Sequence, residues 1–337
     1  MAIGILIGGF SEAAIQLPFI LKHKSAPRFF FAGLKKAIMN PGTRKVLRLI
    51  GPTIVGMAAY QLNDLVSTAL AGNAGEGVVS SLQYSLRLQE LILGIFAVSI
   101  GTVLLPDLAE HAKTGQWEIF NQRLGSGLNI IAFITVPITF FFLAQGQSLI
   151  RLLFQTRSFD EESVRLTMTA FTFHIPGLYF IALNRVLAPA FYAQSNTKSP
   201  TLAGLISFAV NMVLAALLVN RYKGGGIALA LSIASAVNTA ALFIFLRKNP
   251  SISLGPTIKS TITYTVKLAI VSGAALIPVL YLSPILKNAF AGRGRFVSEG
   301  IPLFANAIVF ALAGIILLAV TKDRQLMGIV KLLRRRR

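Results

Sequence analysis

At least eight stretches of this chain are long and apolar enough to cross a bilayer, and that property decides the class of fold. A helix needs about 20 apolar residues to span a hydrocarbon core of about 30 Å. Lipid offers no hydrogen bonds, so the backbone of each such run must satisfy its own N–H and C=O groups, which a helix does. The chain therefore reads as an all-α polytopic membrane protein. Nine spans are predicted: 3–21, 49–71, 78–105, 126–154, 164–193, 201–220, 225–247, 264–284 and 301–321. Glu12 and Pro18 interrupt the first, and the third, fourth and fifth are long enough to require tilt or protrusion. Hydrophobic residues make up 54% of the chain and charged residues 13%, about half the roughly 25% usual in soluble domains.

A net charge of +20 raises the question of nucleic acid, but the Lys and Arg residues sit in loops beside apolar runs. There is no zinc-finger spacing and no basic recognition helix, so nucleic acid is not an expected partner. The chain has no cysteine, which excludes disulfides, thiolate chemistry and Cys-based metal sites. His23, His111 and His174 are scattered and form no ligand pair, so no metal site is expected. The Gly224–Gly226 run has neither a P-loop Lys nor dinucleotide-binding spacing, and no cofactor is expected. No serine has a partner His that would make a nucleophile, and no catalytic constellation appears.

The loops give an orientation. Residues 22–48 carry eight Lys or Arg, residues 72–77 none, and the tail 322–337 seven, ending in four consecutive Arg. The loops around 106–123, 194–200 and 248–263 add to the same side, which the positive-inside rule makes cytoplasmic together with the C-terminus. Met1 runs straight into the first apolar stretch with no basic leader and no cleavage site, so this stretch reads as a span rather than a signal peptide, cut from a longer chain. Two basic segments read as helices lying in the headgroup plane: residues 28–39, with Phe30, Leu34, Ala37 and Ile38 on one face, and the tail, with Leu326, Ile329, Val330 and Leu333.

Charge inside a span is the main pointer to function, because an Arg at a helix centre costs at least about 3 kcal/mol to insert. Arg87 and Glu90 are three residues apart on one face of the third span, with Arg87 roughly 14 Å along it. A guanidinium at that depth can hold a phosphate or diphosphate through two parallel bonds, and Glu90 can orient it or take up a proton. The bland alternative is a self-satisfied pair against a neighbouring helix. Asp64, beside Gln61 and Asn63 in the second span, reads as a buried carboxylate that binds a cation or proton or pairs with Arg87; the alternative is an interhelical hydrogen-bond cluster. Arg185 and Asn184 lie in the fifth span, where Arg185 either lines a cavity or snorkels toward the cytoplasmic face. Arg151 and Arg165 read as interfacial anchors, Asp160, Glu161 and Glu162 as a solvated loop, and His174 as a packed, hydrogen-bonded histidine.

Three blocks resemble a known family. VVSSLQYSLRLQELILGIFAVSIGTVLLPDLAEH resembles the eighth transmembrane segment of the MurJ (MviN) lipid II flippases, RVLAPAFYAQSNTKSP the end of the tenth, and GIALALSIASAVNTAALFIFLRK the twelfth. The resemblance runs over nearly the whole chain. It implies a member of the MOP exporter superfamily, which also holds the MATE drug exporters. It implies two six-helix lobes around a central cavity, with two further helices that form a lipid-tail groove. The family moves the undecaprenyl-diphosphate-linked peptidoglycan precursor across the inner membrane for cell-wall synthesis, by alternating access.

On that mapping the chain starts at the sixth segment. Residues 1–21 are the last helix of the first lobe, 22–48 a basic cytoplasmic loop, 49–247 the whole second lobe, 264–321 the two further helices and 322–337 a basic cytoplasmic tail. The resemblance assigns Arg87 and Glu90 to the substrate diphosphate, with Asp64, Asn63 and Arg185 as further cavity or ion-coupling groups. It makes lipid II, or a related polyprenyl-diphosphate lipid, the expected substrate, membrane lipids the surroundings, and a separately encoded first lobe an expected partner without which the chain does not transport. The sequence departs from the family at Asp64, where the position is mostly neutral and polar. Two other functions are weighed: a MATE-like cation-coupled drug exporter, against which Arg87 argues, and a membrane enzyme acting on polyprenyl phosphates, which lacks an interfacial acidic or His cluster.

Overall fold

The computed structural model describes residues 2–22 and 39–328, and among them every regular element is helical. In chain order these are α1 (Ala2–Lys22), α2 (Pro41–Asn73), α3 (Val78–Lys113), α4 (Trp117–Phe154), α5 (Glu161–Tyr192), α6 (Lys198–Leu246), α7 (Leu254–Ala289), a π-helical turn (Phe296–Gly300) and α8 (Ile301–Val320). The described residues up to Arg48 group apart from those from Leu49 onward. The basic segment expected to lie in the headgroup plane falls almost entirely outside the described residues.

All nine expected spans fall on helix. Five helices are long and apolar enough to cross a membrane by length and composition: α4, α5, α6, α7 and the stretch Phe296–Val320. The 49 residues of α6 hold two spans, and the break between them comes at Lys223, whose φ of 47° and ψ of −128° lie outside the helical region. There the chain doubles back so closely that a Cβ on Gly226 would sit 2.7 Å from the backbone carbon of Leu218, so only glycine fits. The expected boundary between 220 and 225 is thus a tight reversal at Lys223, just before Gly224–Gly226.

Helix α5 is the axis of the unit from Leu49 onward. It packs against α3, α4 and α6, and its buried residues, among them Phe171, Ile175, Leu178, Val186 and Leu187, form one core with Leu104, Leu108, Phe120, Leu124 and Leu128. Asp160 starts it by accepting a hydrogen bond from the Ser163 backbone N–H at 2.9 Å. At Gly177 the approach of α6 is so close that a Cβ would come within 3.0 Å of the Ser232 Cα.

The last two helices attach to α4. Phe141, Ala275, Val279, Leu303 and Phe310 form their shared core. Within it, Asn306, which is fully buried, donates to Gln145 Oε1 at 3.2 Å, and Gln145 donates to Ser283 Oγ at 3.4 Å. Two expected boundaries shift. α3 continues through Pro106 to Lys113 and α4 begins at Trp117, so most of the expected loop 106–123 is helix. α7 begins at Leu254 rather than 264. In both places the helix runs on past the apolar stretch, in the first through the helix-favouring residues of DLAEHAK. The tail also differs: Leu326, expected on a lipid-facing stripe, packs into a core with Ala132, Val136, Leu268 and Leu318. Asp323 explains this turn inward, because it caps the following turn through the Gln325 and Leu326 N–H groups while holding Lys267 at 2.7 Å. Ile329, Val330 and Leu333 lie outside the described residues.

Candidate functional site

Helix α3 presents two chemically different faces. Ser85, Leu88, Gln89, Ile92 and Leu93 are buried against the core. Arg87 and Glu90 lie on the other side and pair at 3.7 Å between Nη1 and Oε2, as their i, i+3 spacing predicts. They are not buried, however: their side chains are 76% and 52% exposed. The buried surface of α3 is already occupied by its polar and leucine stripe, which turns the charged pair to the open face. An open face with charge at membrane depth must be covered by protein or line water.

Glu90 lines a cleft of about 430 Å³. Its polar walls are Tyr60 and Asn63 from α2, Asn184 and Arg185 from α5, and Asn211 and Asn238 from α6. Asn211 donates to Asn63 Oδ1 at 2.6 Å, and Asn184 accepts from Thr239 Oγ1 at 2.8 Å. The buried Oδ1 atoms of Asn211 and Asn238 have no hydrogen-bond partner among the described residues. A second cleft of about 340 Å³ shares Tyr60, Asn184 and Asn238 and extends past Thr53, Gln61 and Tyr192.

The sequence-selected residues thus divide. Asn63, Glu90 and Arg185 share one cleft, and Arg87 joins it through Glu90. Asp64 does not pair with Arg87. It is exposed and lines a smaller cavity of about 60 Å³ with Asn63, Ser67, Thr68, Gln83 and His174. It follows Asn63 by one residue, which turns its side chain about 100° round α2, so that of the two only Asn63 also reaches the larger cleft.

His174 is a packed, hydrogen-bonded histidine. It is buried, its Nδ1 lies 2.6 Å from Ser85 Oγ, and its backbone carbonyl accepts from Gln89 Nε2 at 2.6 Å. The other charged residues form structural links. Arg151, read as a lone anchor, bridges Glu161 at 2.9 Å and Glu299 at 3.3 Å and so joins α4 to α5 and to the π-helical turn. Arg165 pairs with Glu162 at 2.6 Å, which holds the Glu162 carboxyl below its ordinary range. The Ser163 N–H does the same for Asp160. The acidic loop is thus a cap and two ion pairs. Asn211, Asn238, Ser85 and Gln89 were not singled out from the sequence; a lone amide or hydroxyl in an otherwise apolar span is the signal that marks them.

The geometry is that of a polar recess on one open face of a helical lobe, and comparison with known proteins identifies the family of the chain that carries it. A family model described as "Lipid II flippase MurJ" matches residues 1–292. The chain belongs to the MurJ family. A probable lipid II flippase MurJ from Treponema pallidum (strain Nichols) is 44% identical over 322 residues, covering 96% of this chain and 61% of that protein. One from Bdellovibrio bacteriovorus is 28% identical over 295 residues, covering 87% of this chain and 54% of its own length. The chain therefore spans between half and two thirds of these curated relatives. Among solved structures, the inward closed conformation of lipid II flippase MurJ matches with a TM-score of 0.66 at 22% identity, covering 88% of this chain and 56% of that one. A Vibrio cholerae MATE transporter, VcmN in the bent form, matches with a TM-score of 0.56 at 18% identity, covering 85% and 69%. These likenesses establish a fold shared by MurJ and MATE-type transporters.

Proposed function

We propose that this MurJ-family chain forms a substrate-gripping lobe of a lipid II flippase, with Arg87 holding the diphosphate and Glu90 orienting it. The observation that carries the reading is the exposed Arg87–Glu90 pair at the rim of a recess walled by amides. A guanidinium fork matches diphosphate oxygens, and the unpartnered Asn211 and Asn238 oxygens accept from sugar or peptide donors. Alternating access needs a second lobe opposite this face, and the additional length of the relatives is where we place it, whether in the same polypeptide or another. Asp64, with neutral oxygens around it in its small cavity, serves as an ion-coupling group in this reading, and Arg185 adds positive charge to the cleft. Two arginines at the recess favour an anionic substrate over the cationic drugs of a MATE-like exporter. We place the protein in the inner membrane with its basic loops and C-terminus cytoplasmic.

The test is complementation of a flippase-depleted strain with the protein expressed from its own gene. Arg87→Ala is expected to abolish growth support at an unchanged membrane level, since a charged hydrogen-bond partner is worth about 1.5–3 kcal/mol, or roughly 10- to 100-fold in transport. Arg87→Lys is expected to recover only part, because it keeps the charge and loses the fork. Normal growth with Arg87→Ala would assign the residue to structure.

A further inference from the structure

We propose that His174 is a positioning residue for the Arg87–Glu90 pair: it fixes the rotation of α3 about its own axis and so aims the pair at the open recess. This rests on the reading of Arg87 and Glu90 as the substrate grip.

The geometry is direct. Ser85 and Gln89 stand one turn apart on the buried face of α3, and both engage His174, one through the ring and the other through the backbone carbonyl, each at 2.6 Å. At about 100° per residue, Arg87 and Glu90 point roughly 150° away from Ser85 and Gln89. Any turning of α3 that broke the two bonds would swing the charged pair by the same angle.

Apolar packing cannot supply this control. Leu82, Leu88, Ile92 and Leu93 are buried, but Leu86 and Leu91 on other faces are just as apolar and could be buried instead at similar gain. Buried polar bonds break that degeneracy, since a slipped helix leaves Ser85, Gln89 and His174 buried and unsatisfied.

The receiving side is itself held firmly. Pro176 lacks a backbone donor and so leaves the Thr172 carbonyl without its i+4 partner within α5. Three successive carbonyls there each receive a side chain from a different helical segment: Phe173 from Ser232 at 2.5 Å, His174 from Gln89 at 2.6 Å and Ile175 from Thr139 at 3.4 Å. The socket that orients α3 is thus pinned from α4 and from the second half of α6 as well.

The test reads helix orientation without using transport. The chain contains no cysteine, so Leu91→Cys, at a position 58% exposed one turn beyond Arg87, is a single reporter that leaves the grip intact. Its rate of modification by a charged, membrane-impermeant thiol reagent is measured in the protein expressed from its own gene. His174→Leu is expected to change that rate roughly five-fold, the equivalent of about one hydrogen bond. His174→Asn, which keeps a hydrogen-bonding tip, should restore most of the native rate, and a Tyr281→Cys reporter on α7 should not respond to either change. An unchanged Leu91→Cys rate in His174→Leu overturns the proposal. Should His174→Leu fail to accumulate, the Ser85→Ala, Gln89→Leu pair removes both bonds from α3 alone, including the one to the His174 backbone carbonyl that His174→Leu keeps; a change at least as large is expected, and an unchanged rate is again fatal. Protection of the Leu91→Cys reporter by added lipid II separates the two readings: absence of protection with native His174 removes the substrate assignment, while a rate that still moves with His174 keeps the positioning role.

Discussion

Helices α5 and α2 both belong to the unit that carries the recess, yet they are held in opposite ways. α5 is enclosed by α3, α4 and α6 and contributes 15 buried residues. From Leu49 onward α2 buries only Ala59 and Ala71, leaving Ile54, Met57, Tyr60, Leu62 and Leu65 exposed. Its ties to the lobe are mainly polar: Asn211 to Asn63 at 2.6 Å, and Thr201 to the Pro52 carbonyl at 2.9 Å. All three cavities at the recess have α2 as one wall. The lobe thus combines a close-packed post with a loosely docked panel, and the recess lies between them. Binding sites form where packing is least complete, because there a wall can move without breaking the core.

The largest expected contrast is in stability. Phe171→Ala on α5 removes a fully buried ring and should cost about 3–5 kcal/mol, whereas Leu65→Ala on α2, at a position 64% exposed, should stay within about 0.5 kcal/mol. Denaturation of the detergent-solubilised protein measures both, and similar losses would break the distinction between post and panel. A smaller effect is expected at the seam. Asn211→Ala removes the bond to Asn63 and should cost about 1 kcal/mol, with a roughly three-fold rise in thiol labelling of a Ser67→Cys reporter as α2 loosens. Labelling that does not change would place the hold on α2 elsewhere.

The smallest effect is a pH contrast between the two helix starts. α5 is capped by the carboxylate of Asp160, and the first turn of α2 by the amide of Asn40, which accepts from Gly42 N at 2.8 Å. The Ser163 N–H lowers the Asp160 pKa, so the cap's contribution is complete above the unfolded carboxylate value and is lost as pH falls through the lower folded one. Hydrogen exchange at Ser163 should therefore hold steady from neutral pH down to about pH 4 and lose protection below it. At Gly42 no such loss should appear.

Much of this architecture could be read from sequence because the bilayer enforces it: a run of some 20 apolar residues has little choice but helix. The Arg87–Glu90 pairing was legible for the same reason, as an i, i+3 spacing on a helix of known pitch. What escaped was azimuth and partnership. Nothing in LQYSLRLQELIL states which side faces the core, since leucines lie all round. Asn63 and Asn211 are 148 residues apart, so their bond has no local signature. Asp64 and Asn63 are adjacent in sequence and share the small cavity, yet only Asn63 also lines the larger cleft. The loop boundaries at 106–123 and 254–263 were misjudged because hydropathy marks where lipid ends rather than where helix ends.

The turn at Pro176 enters the bilayer during synthesis before all of its donors exist. Gln89 and Thr139 precede it in the chain, but Ser232 is made 59 residues after Phe173 and lies beyond the reversal at Lys223. Until that segment emerges, the Phe173 carbonyl lacks its side-chain partner in a solvent that offers none. The bond that ties α5 to the second half of α6 at this turn therefore forms only after that segment is made.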